Sequence, residues 1–162
     1  MKPFKTGMYG GKFLPLHKGH NFCIETASKM CDKLYVLLFY TKSIHEEIAK
    51  QSKDLDLSVE KRIEKVRQIC SAYDNVEFAF VDSSSCVFED GTEDWDAETP
   101  LVLDITGKMD AVFSSEPSYD PYFKRAYPWA KHIIIDEKRI TVPISATDIR
   151  HMTLEEALKW MM

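Results

Sequence analysis

GMYGGKFLPLHKGHNFCIETA, residues 7–27, places two histidines three positions apart, behind a glycine pair and at the head of a helix-like run. Gly10 and Gly11 permit backbone angles closed to other residues and let an anion approach the main chain. A helix opening near Lys18 points its first N–H groups back at that turn, and its positive end attracts phosphate. His17 and His20 fall at the same end, where ring N–H groups can donate to phosphate oxygens. Gly19 between them removes a side chain that would obstruct the surface. Zinc histidines on helices stand four apart with a third ligand elsewhere, whereas these stand three apart without an acidic partner, so a phosphate cradle is the better reading.

Working outward, FKTGMYG (4–10) reads as a buried strand, 18–31 as a helix, and KLYVLLFY (33–40) as a strand covered on both faces. These make a βαβ unit. Residues 41–57 are polar without clear rhythm and read as a mobile connection with a helical turn. Ser58 is expected to cap a helix running to about Tyr73, followed by a strand over 75–82. Further strands are expected at 109–115 and 131–137, with a short helix or turn interrupted by Pro121 between them. Two last helices, ATDIRHM and LEEALKWMM, complete the chain, the second capped by Thr153. The fold class is therefore α/β: a Rossmann-like open, mostly parallel sheet of about five strands with helices on both faces, in one domain over 1–162.

The chain has 162 residues, 44% hydrophobic and 29% charged, which excludes a disordered chain as the starting expectation. No apolar run approaches the roughly 20 residues that span a bilayer. MKPFKTGMYGG lacks the apolar stretch of a signal peptide, so a cytoplasmic protein is expected. The four cysteines form no CxxC pair and read as buried thiols. A net charge of −5 argues against a duplex-binding protein but leaves room for a nucleotide in a local basic pocket. Residues 82–99 carry seven acidic side chains and no lysine or arginine. Such a run is either a solvated face or, with Trp95 inside it, a platform for a flat cation through cation–π attraction.

HKGH (17–20), within GGKFLPLHKGH, resembles the HxGH signature of the nucleotidylyltransferase superfamily, and ISATDIR (144–150) resembles its second signature, ISxTxxR. Class I aminoacyl-tRNA synthetases carry a related histidine signature, but this chain is too short for one and has no KMSKS-like stretch. VFSSEPSYDPYFKRA (112–126) and IIIDEKRITVPISATDIR (133–150) are most similar to the NadR-type nicotinamide mononucleotide adenylyltransferases. Arg62 and Trp95 also stand where that group has an arginine and a tryptophan.

The resemblance implies adenylyl transfer from ATP to nicotinamide mononucleotide, with Mg²⁺ held through the ATP phosphates and no metal ligated by the protein alone. It implies catalytic roles for His17, His20 and Arg150, and nucleotide binding by Gly10, Gly11, Lys12 and Phe13. Ser145 and Thr147 are implied to hold the β- and γ-phosphates, and Ser114, Ser115 and Glu116 to border the adenosine. Trp95, Arg62, Asp136 and Arg139 are implied to line the acceptor side, although an Asp136–Arg139 ion pair holding a loop is an equally good physical account. Relatives of this kind often assemble into homo-oligomers; nucleic acid and membrane partners are not expected. Two other functions stay open at this point. One is a different nucleotidyl transfer, to phosphopantetheine or from CTP. The other is a non-catalytic sensor of NAD or ATP.

Overall fold

A computed structural model describes residues 2–161. Among the described residues five strands are present: β1 (Phe4–Gly11), β2 (Cys31–Tyr40), β3 (Val76–Asp82), β4 (Ala111–Ser114) and β5 (Lys131–Ile134). They form one sheet in the order β3-β2-β1-β4-β5, every pair parallel. Strand order reverses between β1 and β4, so their carboxyl ends leave the crevice in which such sheets bind ligands.

The helices are α1 (Lys18–Ser28), α2 (Lys42–Ala49), α3 (Val59–Cys70), α4 (Trp95–Thr106), α5 (Asp120–Ala126), α6 (Ala146–Arg150) and α7 (Leu154–Leu158). The period-two pattern of the strands sorts side chains into two cores. Tyr9, Leu34, Val36, Leu38 and Phe113 pack with Ile24 and Ala27 of α1 and Val66 of α3. Met8, Leu37, Val81 and Val112 pack on the opposite face with Val102 of α4 and Tyr122 and Phe123 of α5. A third cluster, Ile144, Ile149 and Ala157, seats α6 and α7. Among the described residues no helix is long and apolar enough to cross a membrane.

The structure corrects several expectations. Residues 41–57 hold more than the helical turn expected of them, because α2 occupies 42–49. Its inward position is the buried His45, which does not register as apolar in the sequence and so conceals the helical rhythm. Helix α4 falls where the acidic run and Pro100 mask helical character, and it ends at Gly107 in the left-handed region (φ 63°). Pro121 does not interrupt α5 but sits in its first turn, where a missing N–H costs nothing. Helix α1 stops at Ser28 and α3 at Cys70, each about a turn short of expectation, and α7 ends at Leu158. Met162, the last residue of that expected helix, lies outside the described residues. Gly10 and Gly11 are ordinary strand residues without positive φ. Their lack of a side chain serves packing: a Cβ on Gly10 would stand 2.5 Å from the Phe39 ring, and one on Gly11 3.3 Å from the Phe13 ring.

Gly7 shows the same constraint deeper in the sheet, where an added Cβ would stand 2.5 Å from Cys31 Sγ and 2.7 Å from Phe113 Cε2. Gly7→Ala is expected to destabilise the fold by about 1–3 kcal/mol through overpacking, read as a lower urea midpoint with an unchanged slope.

Candidate active site

Helix α1 is capped by its own histidines. His17 is the N-cap, with extended backbone (φ −141°), and its Nδ1 accepts the Gly19 N–H at 3.0 Å. His20 reaches back, its Nδ1 accepting the His17 N–H at 3.1 Å. The two rings stack with centroids 3.8 Å apart, and His20 lies edge-on to Phe13 at 4.8 Å. Because Nδ1 is an acceptor in both rings, each neutral imidazole carries its proton on Nε2. Gly19 is required for this geometry, since a Cβ there would stand 2.8 Å from His17 Cε1. Phe13, in the left-handed region at φ 54° and almost fully buried, bends the chain from β1 toward the histidines. Burial, then the Arg139 charge, lowers the His17 pKa from 6.5 to about 4. Burial, then His17 and Arg139, holds His20 well below its usual range. Both rings are therefore neutral donors near pH 7.

The second stretch reaches this corner from the far end of the chain. Arg150 donates from Nη1 to the Leu14 carbonyl at 2.8 Å, from Nε to Gln51 Oε1 at 2.8 Å and from Nη2 to Thr147 Oγ1 at 3.1 Å. Those three bonds use three of the five guanidinium donors and leave two for a ligand. Ser145 caps α6 by accepting the Asp148 N–H at 3.1 Å. The Lys18 N–H donates to the Trp160 carbonyl at 2.8 Å, and His17 bridges to Met161, so the chain after α7 lies along the head of α1. Arg139, itself at φ 50°, anchors to the Ile144 carbonyl at 3.0 Å and projects its charge onto both histidines. Asp136 does not pair with Arg139. Its carboxylate instead accepts the N–H groups of Ile140, Thr141 and Val142 at 2.9, 2.9 and 3.1 Å and so closes the loop that carries Arg139.

Ser114, Ser115 and Glu116 turn the chain at the end of β4. Ser114 Oγ accepts the Glu116 N–H at 3.2 Å, and Ser115 Oγ lies 3.3 Å from Cys23 Sγ of α1. Trp95 opens α4, half-buried, with its Nε1 donating to Glu93 Oε2 at 2.6 Å. Tyr119 and Tyr122 meet its ring edge-on at 5.0 and 5.2 Å. His45 Nε2 lies 3.6 Å from Glu93 Oε1. The His45 hydrogen bond, the Trp95 bond and the Lys12 charge bring the Glu93 pKa down to about 2 against the opposing effect of burial. Burial and the Glu93 charge raise Glu98 to about 7. Arg62 is buried and committed to main chain, donating to the Leu57 carbonyl at 3.2 Å and the Lys12 carbonyl at 3.1 Å, which pins the early loop to α3. Glu93, His45 and Tyr119 were not singled out in the sequence. Only the acidic run around Trp95 hinted at Glu93, and spacing held no signal for the other two. Among the described residues no three His, Cys, Asp or Glu side chains are grouped to hold a metal ion.

The depressed His17 pKa has a measurable consequence. Below pH 6.5 the unfolded chain takes up a proton on His17 that the folded chain refuses until about pH 4. This share of stability is complete above pH 6.5, is lost as the pH falls through that window, and levels off below about 4. Through His17 alone, about 2 kcal/mol is expected to disappear between about pH 7.5 and about pH 5. His17→Asn keeps a capping acceptor, removes the titrating ring and should flatten that loss in urea unfolding at the two pH values.

The cytidylyltransferase-like family model matches residues 8–152, from β1 through the second signature. A phosphopantetheine adenylyltransferase from Clostridium botulinum is 37% identical over 73 residues, which cover 45% of this chain and 39% of that protein. One from Streptococcus gordonii is 29% identical over 132 residues, covering 71% of this chain and 75% of its own. A NadR protein solved with NAD and AMP-PNP superposes on 99% of this chain with a TM-score of 0.69 at 19% identity, the chain spanning 45% of it. Paired histidines at the head of α1, a late guanidinium bonded into the same loop and a family match spanning both signatures lead to one conclusion: the chain belongs to the cytidylyltransferase-like family of the nucleotidylyltransferase superfamily.

Proposed function

We propose that the chain transfers the adenylyl group of ATP to nicotinamide mononucleotide, giving NAD and pyrophosphate. The observation that carries nucleotidyl transfer is the convergence of two neutral Nε2–H donors and the half-committed Arg150 on one loop. In the proposed reaction a phosphate oxygen of the acceptor attacks the α-phosphorus of ATP as the bond from that phosphorus to the bridging oxygen breaks, and pyrophosphate leaves with the electron pair. The nucleophile is already an anion, so the protein needs alignment and charge stabilisation rather than a strong base. Neutral imidazoles suit this task, since the transferred phosphoryl gathers negative charge in the transition state. His20 is assigned the α-phosphate, and Arg150, Lys12, Ser145 and Thr147 the leaving phosphates. Magnesium carried on the triphosphate would offset its charge.

The acceptor assignment rests on the opposite wall. A nicotinamide ring is a flat cation, and Trp95 hydrogen-bonded to a carboxylate held ionised is a fitting surface for one. A NadR protein with NAD bound shares the fold. The second reading, phosphopantetheine as acceptor, is favoured by the names of relatives similar in sequence. Pantetheine is neutral and flexible and gains little from an acidic aromatic wall.

Incubation with ATP, Mg²⁺ and each acceptor, followed by pyrophosphate release, separates the readings: product with nicotinamide mononucleotide alone is expected, and product with phosphopantetheine alone would replace the acceptor. His20→Ala should lower kcat by roughly a hundredfold, the scale of one lost oxyanion donor. Trp95→Ala should raise KM for the mononucleotide roughly threefold to thirtyfold and leave KM for ATP unchanged. Equal rises in both would remove the indole from acceptor recognition.

A further inference from the structure

His132 has no place in either signature, yet it is buried beside the turn that ends β4. It lies on β5, opposite Val112 in the parallel register. Its Nδ1 stands 3.0 Å from Asp120 Oδ1 of α5, and its Nε2 stands 2.6 Å from Ser114 Oγ. An ionised Asp120 only accepts, so the neutral ring carries its proton on Nδ1 and presents Nε2 as an acceptor. Two acceptors lie within reach of the Ser114 hydroxyl, His132 Nε2 at 2.6 Å and the Glu116 carbonyl at 3.3 Å; the nearer takes the proton, and the oxygen accepts the Glu116 N–H at 3.2 Å. The result is one directed chain of bonds: Glu116 N–H to Ser114, Ser114 O–H to His132, His132 N–H to Asp120. Phe123 fixes the imidazole plane edge-on at 4.8 Å, and the exposed Lys124 touches only the other carboxylate oxygen, Oδ2, in a surface ion pair that contributes little. A serine, histidine and aspartate in this order resemble a hydrolytic relay, but the Ser114 oxygen is buried and occupied by the Glu116 N–H, so it is not a nucleophile.

We propose that His132, oriented by Asp120, is a positioning residue for nucleotide binding: it sets the direction of the Ser114 hydroxyl and thereby fixes the Ser114–Glu116 main chain at the crevice. The proposal rests on the reading that this turn borders the nucleotide, and it is indifferent to which acceptor is used. Its signature is a loss confined to ATP affinity, because the chain of bonds ends on the turn and touches neither the histidine pair nor Trp95.

The test is ATP affinity, as Kd without acceptor and as KM with one, in five folded variants whose melting is checked by circular dichroism. His132→Phe should weaken ATP about tenfold, the scale of one directed hydrogen bond, with kcat and the acceptor KM within about threefold. Ser114→Ala should do the same, and the double variant should be no worse than either single, since both break one chain. His132→Gln, which keeps a polar atom near the Nε2 position, should recover most of the affinity. Lys124→Met, which touches only the outer oxygen of Asp120, should leave it unchanged. An unaltered ATP affinity in His132→Phe, losses that multiply in the double variant, or a loss that falls on kcat overturns the assignment. Wild-type protein that binds no ATP at all would sink the adenylyl-transfer reading and this one with it. A switch of acceptor to phosphopantetheine would sink only the former's choice of substrate.

Discussion

A helix must satisfy its first N–H groups, and α1 does so with imidazoles in place of the usual hydroxyl or carboxylate. That one constraint settles most of the donor corner. Using Nδ1 as the cap fixes the tautomer, so Nε2–H is the group each ring has to offer. Stacking the rings and burying them keeps both uncharged, because a second positive ring 3.8 Å away would repel the first. Gly19 follows from the space the cap needs, and the left-handed Phe13 from the bend that places one ring under the other.

Around the pair, charged and titratable groups are sorted by side. Arg139 acts on the histidines from the late loop, and Arg150 of α6 is bonded to the Leu14 carbonyl of the loop that leads to them. Glu93 and Glu98 lie on the side of Trp95. A chain with net charge −5 thus keeps a local basic corner by concentrating acid elsewhere. Tyr119 packs against Trp95 and Phe123 against His132, so the 3₁₀ turn at Pro117–Tyr119 and α5 brace both of those residues at once.

Much of this was legible in the residues. Continuous apolar runs mark central strands, and the turn into α1 marks its capped end, because both signals are local. The late signature was readable as a motif, but its contact with Leu14 spans 136 positions and no periodicity encodes it. Helix α2 was hidden because its buried face is a histidine, and α4 because its first turn is acidic and its middle holds Pro100. The glycine pair was read for backbone freedom, whereas the observed need is clearance for Phe39 and Phe13. An Asp136–Arg139 ion pair was one account the sequence left open, but the carboxylate instead accepts the three main-chain N–H groups of its own loop, a closure that no spacing displays. His132 and Ser114 sit on neighbouring strands 18 positions apart, a proximity that exists only once β4 and β5 align.

The loop from Lys12 to His17 is also where distant parts of the chain end. Arg62 grips it from 50 positions away, Arg150 from 136, and the bridge at Met161 closes over His17. Such long closures are slow to form. On the ribosome the imidazoles emerge early and must wait, half-built, until residue 150 has left the tunnel. The donor corner thus draws on residues from the whole length of the sequence, and its loop is fully bonded only when all three distant segments have reached it.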